Sequence, residues 1–217
     1  MMLANPIPGQ GDRGAYRPHF TIKPENQMHR HALLSMIASL CLLGASACNS
    51  DRMTGTETAV EGLRRNFAQY QDLAKANAAG YTTWSPDPTV AGSTCPSAPE
   101  GKMGYHLLNV SARGSAATPA SGDAVIDPLK PEMLLYEKKA DGSMVLVGVE
   151  WIVFNAAWER EKGVGAPAPT VIGQTMPLSD HAFAPGGPSI PHYELHAWIF
   201  RDNPRGMFEH YNPNITC

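Results

Sequence analysis

The chain predicts an α+β fold: one N-terminal amphipathic helix packed on a mainly antiparallel β-sheet, either open or curled into a barrel-like form. Three observations carry this. Between residues 58 and 80, Val60, Leu63, Phe67, Tyr70, Ala74 and Ala78 recur at helical spacing and make one apolar stripe. After residue 102 the pattern changes to short β-type runs bounded by Gly, Pro and Asp-Gly punctuation. No internal repeat or coiled-coil heptad interrupts that order, so helix and strands are segregated along the chain.

The first legible element is an address. Residues 28–47 have a basic start (Arg30, with His29 and His31), an apolar run over 32–43 and small residues before Cys48, the layout of a secretory signal. The run is shorter than the about 20 residues that a spanning helix needs. Ala45-Ser46-Ala47 fits signal-peptidase cleavage, and with Cys48 it also resembles the bacterial lipobox, although Ala45 stands where Leu is usual. The expectation is export to the periplasm or cell envelope, with a lipid on Cys48 as the membrane anchor. Residues 1–27 fit no part of a signal and read as a gene-model extension ahead of a start at Met28. Residues 48–57 read as a polar tether, and 58–217 as a single α+β domain.

Within that domain, Thr58-Ala-Val-Glu61 has the form of a capping box at the helix start. Gly80 is placed to end the helix in a left-handed turn. Residues 82–102, with Pro86, Pro88, Pro96 and Pro99, read as loop. Strands are expected at 103–110, 131–137, 143–154 and 191–200, the second and third joined by the Asp141-Gly142 turn. The third is nearly apolar throughout, which predicts cover on both faces. Residues 155–190 form a long Gly- and Pro-rich connection with one short strand at 170–176, of a length typical of lids and binding loops.

Of the four cysteines, Cys41 belongs to the leader. With Cys48 lipidated, Cys95 is expected to pair with Cys217; without the lipid, one thiol is left over. A bridge closing so long a loop is worth about 4 kcal/mol on the chain-entropy model. It also pins a terminus that would otherwise fray. No Cys-x-x-Cys occurs, so the zinc-finger spacing is absent. The net charge of −3 becomes about −5 once the +2 of residues 1–47 is set aside. A mildly acidic domain without a basic cluster excludes nucleic acid as the expected partner.

The chemistry concentrates in His192-Tyr-Glu194-Leu-His196. On a strand His192, Glu194 and His196 share a face, with Trp198 and Phe200 beyond. Adjacent members lie about 6.5–7 Å apart along the strand, too far for all three to hold one ion. Chelation therefore requires donors from neighbouring strands. Glu150 is expected on the same face as Met144, Leu146, Ile152 and Phe154, and a carboxylate in such a strand must be paired, protonated or metal-bound. His106 is the histidine of the first strand. The resulting hypothesis is a pocket of His106, Glu150, His192 and His196, with Glu194 as ligand or supporting group, for zinc, copper or iron or for a small ligand. The competing reading makes 192–196 the solvent face of an edge strand, His106 a satisfied core histidine, and Glu150 a partner of Arg201 or a bulge cap. His181 reads more readily as a loop residue than as an extra ligand.

The segments Gly-Lys-Met-Gly-Tyr-His106, Pro-Glu-Met-Leu-Leu-Tyr-Glu137, Leu-Val-Gly-Val-Glu150-Trp, His192-Tyr-Glu-Leu-His196-Ala-Trp and Asn-Pro-Asn-Ile-Thr-Cys217 together resemble a group of uncharacterised secreted bacterial proteins. The resemblance spans most of 48–217. It implies a shared fold and export and carries no assigned activity. The expected function is thus a lipid-anchored envelope protein with a His/Glu pocket for a metal ion or small ligand. Two imidazoles and a carboxylate would suit metal-assisted hydrolysis or oxidation. The alternative is a non-catalytic interaction module or a carrier of an apolar ligand.

Overall fold

The computed structural model describes residues 55–112, 122–182 and 188–217. The expectations for 1–27, the signal at 28–47 and lipid on Cys48 lie outside them. Helix α1 (Gly55–Phe67) runs into a 3-10 turn (Ala68–Gln71) and then α2 (Leu73–Ala78). The predicted continuous helix is therefore broken, and its start lies ahead of the Thr58 capping box. The break has two visible causes. Gln71 turns its side-chain amide onto Leu146, donating to its carbonyl (2.9 Å) and accepting from its N–H (3.1 Å). Asp72 then caps α2 by accepting from the Ala74 N–H at 2.9 Å. Val60, Leu63 and Phe67 are buried as expected; beyond the break it is Ala76 that is buried, while Ala74 and Ala78 are exposed. Gly80 closes the segment at a φ of 96°.

The strands follow as β1 (Tyr81–Ser85), β2 (Ser97–Ala98), β3 (Gly101–Lys102), β4 (Tyr105–Asn109), β5 (Met133–Lys138), β6 (Met144–Phe154), then α3 (Asn155–Lys162), β7 (Thr170–Val171), β8 (Gln174–Thr175), β9 (Leu178–Ala182) and β10 (Ser189–Ala197). Six of them form one antiparallel sheet in the order β1-β4-β5-β6-β10-β9, open at both ends, so the barrel alternative is not realised. Strands β2–β3 and β7–β8 are separate two-stranded ribbons. Strand β1 occupies part of the expected loop, while α3 and β9 occupy the expected long connection. The Asp141-Gly142 turn joins β5 to β6 as expected, with Asp141 accepting from the Ser143 N–H and Gly142 at a φ of 84°.

One face of the sheet carries the main core: Leu107, Leu134, Tyr136, Val149, Trp151, Leu195 and Ala197 pack with Val60, Leu63 and Phe67 of α1. Full burial of each Leu, Val or Phe side chain in this set contributes about 1.5–3 kcal/mol. Arg64 ties α1 to the end of β10 by donating to the Ile199 carbonyl at 2.8 Å. The pairing register shifts between Leu135 and Tyr136: Leu135 faces Gly148 but Tyr136 faces Leu146. That bulge corrects the expected face of β6. Leu146 and Met144 turn into the α1 core, Phe200 also packs there, and Ile152 clusters with Leu108 and Met133 on the opposite face with Glu150.

The opposite face is covered by the 86–104 segment and the C-terminal tail. Cys95 and Cys217 form the expected disulfide, with Cα atoms 5.8 Å apart across 122 residues of sequence. Lys102 and Asn212 exchange backbone hydrogen bonds at 3.1 and 3.0 Å, which binds segment and tail together. Among the described residues no helix is long and apolar enough to cross a membrane.

Candidate metal centre

Strand register brings the ionisable residues to the covered face. Leu108 pairs with Met133, Met133 with Glu150, and Glu150 with His196, so one row crosses four strands. His106 precedes Leu108 by two residues and therefore shares its face. Its ring reaches across β5 to Glu150. One row along β10, Glu194 lies opposite Ile152, and His192 lies opposite both Phe154 and Ser179 of β9. His181 follows Ser179 by two and returns to the same face. The reading of β10 as a solvent-facing edge strand is thereby overturned: β9 covers its flank, and His192, Glu194 and His196 are buried. His181 belongs to a strand, not a loop.

Two groups of donors result, each with its ligand atoms within 4.8 Å of one another. In the first, Glu150 Oε2 lies 3.2 Å from His106 Nε2 and 3.6 Å from His196 Nε2. In the second, Glu194 Oε1 lies 3.1 Å from His181 Nε2, and its Oε2 lies 3.4 Å from His192 Nε2. The expected pocket is therefore divided: His192 joins Glu194 instead of Glu150, and Glu194 is the centre of its own group. Arg201, offered as an alternative partner for Glu150, pairs with Glu137. His210 was missed by the sequence reading. It comes from the turn-rich tail, with Nδ1 3.6 Å from Glu194 Oε1 and its ring 5.5 Å from that of His196. No local periodicity marks it. The available signal was the count: residues 48–217 contain five histidines, and all five converge here.

Electrostatics separate the groups. Burial pushes the His196 imidazole down to about 4, against the pull of Glu150 and Glu194, so it is neutral at physiological pH. Neither of its nitrogens hydrogen-bonds within the described residues, and the same holds for Glu150 Oε2. Such buried polar atoms each cost about 1–3 kcal/mol when unsatisfied. Glu194 is different. Burial opposes its ionisation, but the imidazoles of His181 and His192 set against its two oxygens hold it well below the usual carboxylate range. The hydrogen bond to Glu194 in turn raises His181.

Donors about 2.0–2.1 Å from a tetrahedral zinc ion stand about 3.3 Å from each other. The contacts of 3.2 and 3.6 Å about Glu150 match that edge length. Two imidazoles and a carboxylate are also a donor set that zinc, iron and copper accept. The centre opens onto a cavity of about 330 Å³ whose lining includes His106, Glu150, His181, Glu194, Met103 and Tyr211. An ion held by three protein donors would keep a coordination position for water or a ligand. Comparison of the chain with protein-family models, curated proteins and solved structures finds no match.

Proposed function

We propose that this protein binds a divalent transition-metal ion, zinc by preference, through His106, Glu150 and His196, and presents it to a small ligand in the adjoining cavity. The observation that carries the reading is the convergence of three buried donors within 4.8 Å of one another, with His196 and Glu150 Oε2 lacking hydrogen bonds among the described residues. Buried groups of this kind call for a cation. The ion would polarise a bound carbonyl or phosphoryl oxygen or lower the pKa of a bound water, which suits metal-assisted hydrolysis. We further propose that the protein works outside the cytoplasm, anchored by lipid at Cys48; the signal-like segment at 28–47 and the Cys95–Cys217 bridge support this.

Elemental analysis of the full chain, expressed with export so that the disulfide forms, tests the metal reading. Stoichiometric zinc is expected in the wild type. Glu150→Gln and His196→Ala should each lose the ion held by this group while remaining folded by circular dichroism. Wild-type protein that takes up no transition metal would leave the carrier and interaction-module readings in front. Intact mass distinguishes a lipidated Cys48 from a bare one, with Cys48→Ser as the control.

A further inference from the structure

The second group, His181, His192 and Glu194, is not needed by the site just proposed. Its geometry nonetheless has the same character. Glu194 is buried and extends each of its two oxygens to a different imidazole, at 3.1 and 3.4 Å, with His210 Nδ1 at 3.6 Å as a fourth donor. These spacings again bracket the edge of about 3.3 Å between donors around a tetrahedral ion.

The orientation of the rings adds an independent observation. His192 Nδ1 lies 2.5 Å from the Ile190 carbonyl oxygen. A carbonyl only accepts, so Nδ1 carries the proton and Nε2 is the atom turned to Glu194. With Nδ1 committed to that carbonyl, Nε2 is the atom presented to the Glu194 carboxylate at 3.4 Å, and it is the ring atom through which a histidine in this orientation ligates a metal. Ligating histidines characteristically donate their other ring N–H to a carbonyl or carboxylate in this way. His181 shows the same disposition more loosely, with Nδ1 3.4 Å from the Ala182 carbonyl and Nε2 on Glu194.

We infer that His181, His192 and Glu194, with His210 closing the set, form a second transition-metal site beside the first, so that the pocket holds two ions. The inference deepens the metal-binding reading and rests on it for the first ion alone. Glu194 and His196 are alternate residues of β10, so the sites are about one strand repeat apart, about 6.5–7 Å between backbone positions. His210 leans into the gap, near both His196 and Glu194. His181 and Glu194 line the same cavity as His106 and Glu150, so a ligand there can reach both ions. Two ions held there would each take an oxygen of a ligand that spans the cavity, and would polarise it toward attack by water. The class of ligand indicated is an ester, amide or phosphate small enough for about 330 Å³.

The test is a metal count on chelator-stripped full chain, titrated with Co²⁺ and followed by visible absorption, then by elemental analysis after desalting. Two ions per chain are expected in the wild type. His192→Gln and His181→Gln should each retain one, as should Glu150→Gln, and the His192→Gln/Glu150→Gln double variant should retain none. His181 is two-fifths exposed on the outermost strand, so its replacement leaves the fold intact and guards against a false loss through unfolding. A wild type that holds one ion, kept in His192→Gln and lost in Glu150→Gln, overturns the second site and leaves the first standing. One ion lost in both variants means that the groups share a single site, which also overturns the inference. No ion in the wild type overturns both readings together.

Discussion

At position 148 an added Cβ would lie 2.6 Å from the Ala197 carbonyl oxygen and 3.2 Å from Leu135 Cδ1. The first contact is with backbone, which cannot swing aside. Gly148 sits where the β5–β6 register shifts, the irregularity that places Glu150 and Ile152 on one face and Leu146 on the other. Gly148→Ala is therefore expected to destabilise by about 1–3 kcal/mol, the usual cost of overpacking. Urea unfolding would show this as a lower midpoint at unchanged slope; an unchanged midpoint would mean that β10 yields at Ala197. At the same scale, His192 illustrates how a single backbone acceptor decides which ring nitrogen is available.

At the scale of elements, a buried carboxyl outside the metal groups sits immediately ahead of β5. Glu132 accepts the Ile152 N–H at 3.0 Å, and burial pushes its pKa from 4.5 up to about 8. The folded state therefore holds a proton that the unfolded chain has released over that interval. Stability contributed by this group is complete below about pH 4.5 and is lost as pH rises to about 8, at about 1.4 kcal/mol per pH unit. Glu132→Gln keeps an acceptor for Ile152 and removes the proton. Denaturation midpoints from pH 5 to 9 should fall more steeply in the wild type than in the variant, and parallel curves would refute the buried neutral carboxyl. The break between α1 and α2 belongs to this scale too, because Gln71 gives up helical continuity to satisfy Leu146 at the bulge.

At the scale of the whole molecule, the C-terminal tail completes the pocket it covers. Cys217 is bridged to Cys95, and Glu137 accepts from the Thr216 N–H and hydroxyl at 3.1 and 2.6 Å. Burial opposes ionisation of Glu137, yet Lys139, Thr216 and Arg201 together hold its carboxyl down to about 2. His210 and Tyr211 ride on this anchored segment. Reduction of the disulfide, or Cys217→Ser, should cost about 4–5 kcal/mol on the chain-entropy model for a loop of this length. It should also weaken metal retention, since His210 loses its tether. Paired denaturant melts and metal counts on oxidised and reduced protein check both, and identical curves would show that the bridge is dispensable.

The sequence by itself determined the α+β class, the β5–β6 hairpin, and the side-chain chemistry of Glu150, His192, Glu194, His196 and His106, and it offered the Cys95–Cys217 pairing on the condition of a lipidated Cys48. These follow from local rules: period-two and helical spacing, an Asp-Gly turn, and the misfit of a carboxylate in an apolar strand. Tertiary structure alone decided how those residues group. Strand order sets which side chains face each other, so Glu150 meets His106 and His196 across strands far apart in sequence, while the pairing of β9 on β10 brings His181 to Glu194 and His192. The β6 bulge, the pairing of β9 on β10 and the arrival of His210 from the tail were likewise decided by how segments pair. A residue's period is written along the chain, but its partners are fixed by pairing between segments, and no window on the sequence contains both.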